Sequence, residues 1–164
     1  MTGAHVVGVG DCHVSGDPDA VLVTYALGSC IAVVIHDPVS KVGGLLHYML
    51  PESSLSADKA RERPYMFADT GIPLLFHNAY GLGAVKSRLE VAVFGGAQVM
   101  DATGTFNIGK RNHLALRKIF WKAGVLAHLE DVGGTQSRTV RLEVGNGQIV
   151  LRHGTAERVV RAAR

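Results

Sequence analysis

Two apolar runs, CIAVVIHD (30–37) and VGGLLHYML (42–50), meet at the segment DPVSK, a pattern that an antiparallel hairpin accommodates and a helix does not. Pro38 supplies the fixed φ wanted at the first central position of a turn, so the turn is expected to centre between Pro38 and Val39. That register sets Cys30 directly opposite His47, with Cβ atoms about 4.5–5.5 Å apart. A loop one residue longer breaks it, because every side chain then changes face.

Other β-branched runs bounded by Gly, Asp or Pro predict strands near 4–9, 20–25, 88–94, 125–131, 138–144 and 148–153, the last two joined through the turn GNG. In FADTGIPLLFHNAYG (67–81), Ile72, Leu75, Phe76 and Ala79 recur at helical spacing, with Asp69 or Thr70 as cap and Pro73 in the first turn. A second helix is expected in NIGKRNHLALRKIFWKAG, capped by Asn107, with an apolar face of Leu114, Ile119, Phe120 and Ala123, and stopped by Gly124. PESSLSADKARERPYM (51–66) is polar and Ser-rich, a surface loop. Strands interrupted by two helices, without a regular strand-helix repeat, predict an α+β layered fold, and 164 residues suit one domain, 1–164.

A hydrophobic content of 47% with 20 glycines excludes a disordered chain. The net charge of +3 invites a nucleic-acid reading, but the basic residues are scattered, densest in ERVVRAAR, and no basic stripe interleaved with aromatics appears. No nucleic-acid partner is expected, and the excess equally favours an acidic protein. No run approaches the ~18 apolar residues of a membrane span, and MTGAHVVGVGDCHVSGD lacks a leader's basic and apolar regions, so a cytoplasmic chain without membrane insertion is expected. In a reducing compartment Cys12 and Cys30 are free thiols.

His5, Cys12, His13, Cys30, His36 and His47 crowd the first third of the chain, which raises the question of a metal. No CxxC occurs, and His36 is expected on the opposite face from Cys30 or near the turn, so no metal site is expected. FGGAQVM (94–100) lacks the spacing of a phosphate loop, and its glycines suit close backbone packing; no cofactor is expected. Cys12 has no motif around it and is expected to be a loop or strand-end thiol.

Cys30 with His47 is different. A thiol beside an imidazole can form a thiolate-imidazolium pair that is nucleophilic at neutral pH. In LGSC, Gly28 allows a sharp turn, and the amide of Cys30 with a neighbour at Gly28 or Ser29 can face a developing oxyanion. Taken residue by residue, the plainer alternative is a small buried Cys and a hydrogen-bonded core His.

The surrounding motifs decide between these. TYALGSCIAVVIHD followed by GGLLHYMLP closely resembles the CheD family, the chemoreceptor glutamine deamidases of bacterial and archaeal chemotaxis, and FGGAQVM, NIGKRN (107–112) and EDVGGTQSR (130–138) resemble its later segments in order and approximate spacing. The resemblance implies a cysteine hydrolase with a Cys-His-Thr triad, falling on Cys30, His47 and Thr24, in an α-β-β-α arrangement of two packed sheets flanked by helices. It implies deamidation of glutamines in methyl-accepting chemotaxis receptors, ester hydrolysis at such sites, and association with the phosphatase CheC. Two departures stand out: Ala26 and Ser137 each occupy a position where the family commonly has Gly. A non-catalytic partner of CheC and a cysteine hydrolase of some other amide remain as alternatives.

Overall fold

A computed structural model describes residues 3–98 and 107–164, so Val99 and Met100 of the FGGAQVM segment lie outside the described residues. Two five-stranded sheets organise the rest. The first runs β1 (His5–Val6), β3 (Val21–Leu27), β8 (Arg138–Glu143), β9 (Ile149–His153) and β10 (Ala156–Arg161) in spatial order. The second runs β2 (Asp11–Ser15), β5 (Val42–Tyr48), β4 (Ile31–Asp37), β6 (Glu90–Gly95) and β7 (Leu129–Val132). Both are mixed, because β1 joins β3 and β6 joins β7 in parallel while the other pairs are antiparallel.

Strands β4 and β5 are each buried along their whole length. Alternation explains how: Ile31, Val33 and Ile35 point outward into a cluster with α2 (Ala68–Gly81) and α3 (Ile108–Ala123), while Ala32 and Val34 point inward against Leu142, Ile149 and Leu151 of the first sheet. A strand covered on both faces reads as a continuous apolar run, which is what the sequence shows. In α2, Ile72, Leu75 and Phe76 are buried as expected, each contributing about 1.5–3 kcal/mol.

The expected two-sheet α+β architecture is therefore present, with corrections in detail. Both long helices pack on the same outer face, that of the second sheet, so the layers run helix, sheet, sheet among the described residues. The short strands β2 and β10 were not expected, and 51–66 contains a helical turn, α1 (Ala57–Glu62). Neither Asp69 nor Thr70 caps α2: Asp69 instead accepts from Ser53 N at 2.9 Å and Ser53 Oγ at 2.8 Å, and Thr70 donates to the carbonyl of Pro64. Asn107 precedes α3 with φ +48° and no capping side-chain bond, whereas Gly124 ends it at φ +67° as its lack of a Cβ allows. The buried stripe of α3 is Gly109, Asn112, Leu116 and Phe120, and Leu114 is exposed.

Candidate active site

The hairpin register differs from the one expected. Pairing runs from Ile31↔Tyr48 to Asp37↔Val42, so Ala32 and not Cys30 stands opposite His47. Asp37 is the reason. Its carboxylate accepts from the amides of Val39 at 2.9 Å and Ser40 at 3.2 Å, and its carbonyl accepts from Lys41 at 2.9 Å, which opens the loop to four residues. The displacement is two residues, so faces are preserved. Cys30 packs with the inward cluster, on the face that carries Ala32 and His47, and becomes the diagonal neighbour of His47, where backbones stand about 7–8 Å apart.

Thr24 reaches His47 from the other sheet. Its Oγ1 lies 2.7 Å from His47 Nδ1 and 2.6 Å from the carbonyl of Val7. A hydroxyl has one proton, and a carbonyl can only accept, so Thr24 donates to Val7 and accepts from Nδ1–H. The proton therefore sits on Nδ1 and leaves Nε2 with its lone pair. His47 Nε2 is buried with no hydrogen-bond partner among the described residues. Burial pushes the imidazole down to about 4 and the Cys30 thiol up to about 11, the latter opposed by Cys30's own amide. Both shifts favour the neutral pair over the thiolate-imidazolium expected from adjacency. The thiol's proton has a vacant acceptor on the same face.

Gly28, Ser29 and Cys30 form the crossing from β3 in one sheet to β4 in the other. Three consecutive carbonyls are tied down there: Gly28 O accepts from Ala97 N at 2.9 Å, Ser29 O from Asn112 Nδ2 at 3.0 Å, and Cys30 O from Gly96 N at 2.9 Å. The glycines of FGGAQVM make this approach possible. Gly95 has φ +109°, and a Cβ there would lie 2.2 Å from Cys30 O.

The family model for CheD, described as chemotactic sensory transduction, matches residues 49–153. The chain is 58% identical over 146 residues to "Probable chemoreceptor glutamine deamidase CheD" of Solibacter usitatus, covering 89% of this chain and 86% of that one. The chain belongs to the CheD family. A second relative, "Probable chemoreceptor glutamine deamidase CheD 1" of Syntrophus aciditrophicus, is 55% identical over 90% of this chain and 92% of its own. "Chemoreceptor glutamine deamidase CheD" of Thermotoga maritima is 39% identical over 90% of each. The span of the family model begins after His47, so Thr24, Cys30 and His47 lie outside it.

Within this CheD-family chain the two departures from the usual pattern differ in consequence. Ala26 sits at φ +53°, in a bulge where the β3–β8 register shifts between Thr24 and Leu27. Ser137 is exposed and outside the left-handed region, so glycine is not required there.

Cys12 and His36 lie away from the Cys30–His47 pair. Cys12 is on β2 opposite Leu46, packed toward the helices and pushed up to about 12 by burial and then by Asp11. His36 points inward like Cys30, not to the opposite face: six residues is an even step along a strand, and its Nε2 donates to Val144 O at 2.8 Å near the turn end.

Sequence reasoning missed Asn112. Its signal was present, since a polar residue at 112 continues the buried 116–120 stripe one turn earlier.

Proposed function

We propose that this chain converts glutamine side chains of methyl-accepting chemotaxis receptors to glutamate, with Cys30 as nucleophile, His47 as acid and base, and Thr24 orienting the imidazole. The supporting observation is the Val7–Thr24–His47 chain, which leaves a buried Nε2, unpartnered among the described residues, on the face that also carries Cys30. The names carried by the relatives supply the substrate class.

The pair starts neutral, so proton transfer accompanies attack. The Cys30 proton moves to Nε2 as sulfur bonds to the carboxamide carbon. A thiolate from a thiol of high pKa is the stronger nucleophile once formed. Collapse breaks the carbon–nitrogen bond, and His47 returns the proton to the departing nitrogen, releasing ammonia and leaving a thioester. Water then attacks, giving a proton to Nε2, and the carbon–sulfur bond breaks to yield glutamate and the restored thiol. The net change adds one water and releases one ammonia. The same acyl-enzyme serves a receptor methyl ester, with methanol leaving in place of ammonia. On this reading the substrate is the receptor's cytoplasmic domain and the activity is cytoplasmic, and a CheC-binding role is distinguished from it by whether Cys30 is needed.

Incubation with receptor cytoplasmic domains, followed by ammonia release and peptide mass spectrometry, tests the reading. Cys30→Ser is expected to remain folded by circular dichroism and to lose about 10⁴- to 10⁶-fold in turnover. Thr24→Ala removes an orienting bond only and is expected to lose about 10- to 10³-fold. A folded Cys30→Ser protein that deamidates at the normal rate moves the site elsewhere.

A further inference from the structure

We infer that Asn112 is a positioning residue, whose side-chain amide holds the Ser29–Cys30 peptide so that the Cys30 N–H faces the oxygen of the carbonyl under attack. The inference rests on the deamidase reading above and adds a residue to it.

Asn112 is fully buried in α3, and its Nδ2 donates to Ser29 O at 3.0 Å and to Met49 O at 2.9 Å. These two carbonyls belong to the segments that carry Cys30 and His47. The β4–β5 pairing stops at Ile31↔Tyr48, and Met49 N turns away to Met66 O at 2.8 Å. The strands separate here, and one NH₂ group supplies both hydrogens to their facing oxygens. The helix is fixed to the same place, since Tyr48 Oη donates to Asn112 O at 2.6 Å.

Geometry carries this to the nucleophile. The Ser29–Cys30 peptide is trans, so its C=O and N–H point in opposite directions. Holding Ser29 O against α3 turns the Cys30 amide away from α3, toward the inward side on which the Cys30 side chain packs. A carbonyl carbon bonded to Sγ places its oxygen within range of such a donor. Among the described residues Asn112 is the donor to Ser29 O, while the flanking carbonyls Gly28 O and Cys30 O are held by Ala97 and Gly96.

The test separates an oxyanion step from general thiol reactivity, since alkylation by iodoacetamide builds no oxyanion. Asn112→Ala is expected to lower kcat for receptor-peptide deamidation by ~10- to 10³-fold with KM changed less than about threefold, while alkylation of Cys30 at pH 9 stays within about threefold of wild type. Asn112→Asp keeps the shape. Its buried carboxyl, held protonated by two carbonyl neighbours, donates one bond, so this variant is expected to exceed Asn112→Ala and to lose its advantage as pH rises. A kcat for Asn112→Ala within about threefold of wild type overturns the inference, as does a parallel loss of alkylation and turnover in a folded variant. Failure of both variants to fold also overturns it, by making Asn112 a requirement of the fold and not of the step. A wild-type chain that releases no ammonia defeats the deamidase reading instead.

Discussion

Ala26 carries a conformational cost close to the candidate nucleophile. Its φ of +53° lies in the left-handed region, which costs a residue with a Cβ about 1–2 kcal/mol. Glycine would remove that strain while losing about 0.5–1 kcal/mol more backbone entropy on folding. Ala26→Gly is therefore expected to stabilise the protein by about 0.5–1 kcal/mol in urea denaturation at pH 7; a destabilised variant would show that the methyl group packs usefully. The contrast between Thr24 and Asn112 shows what single residues disclose. Thr24 meets His47 across two sheets at 2.7 Å, and no spacing rule joins residues on different sheets, so it was legible only through a family resemblance. Asn112, missed because Leu114 stood in the expected face, was within reach of the sequence as a polar residue one turn before Leu116 and Phe120, but what it holds depends on two strands parting, which local sequence does not encode.

At the scale of elements, the hairpin and its faces were legible and its register was not. Apolar runs around Asp-Pro are enough to predict two buried strands, and an error of two residues leaves every side chain on its face, so Cys30 and His47 still meet diagonally. What displaced the register was Asp37, whose side chain captures two loop amides and whose burial is offset by Arg88 at 2.8 Å. The β2 and β10 strands escaped notice because half-exposed polar strands lack the apolar signal and are held by their neighbours. The glycines at the end of β6 pack backbone against backbone, as their spacing in FGGAQVM suggests, and Gly95 yields the sharpest test of that packing. Gly95→Ala puts a Cβ 2.2 Å from Cys30 O at φ +109°, a clash with backbone that no rotamer relieves. It is expected to destabilise by more than about 2 kcal/mol and to move the Cys30 segment, so that thermal midpoint and turnover fall together. A variant of normal stability and activity would show that β6 can slide away from the crossing.

For the whole molecule, the space between the sheets governs how stability responds to acid. His47 is buried there with Thr24, and its neighbours on that face are Ala32 from β4, Cys30 and, across β2, Asp11. Burial lowers the imidazole from 6.5 to about 4. The unfolded chain thus binds a proton that the folded chain refuses between these values, so the contribution is complete above pH 6.5 and is lost as pH falls toward about 4. The shift corresponds to roughly 3 kcal/mol. His36, also lowered by burial while its bond to Val144 opposes the shift, acts in the same direction. Asp37 falls in a separate window: burial alone would raise it, but Arg88 and the amides of Val85, Val39 and Ser40 outweigh that and hold it well below the usual carboxylate range, so its contribution is lost only in stronger acid. Urea denaturation at intervals from pH 7 to pH 4.5 is therefore expected to show wild-type stability falling by about 2–3 kcal/mol, and His47→Gln, which keeps a polar group toward Thr24 without a titrating ring, to fall by distinctly less. Equal slopes for the two proteins would mean that His47 gains its proton without unfolding, that water reaches Nε2 between the sheets, and that the neutral starting pair assigned to Cys30 and His47 has to be replaced by a charged one.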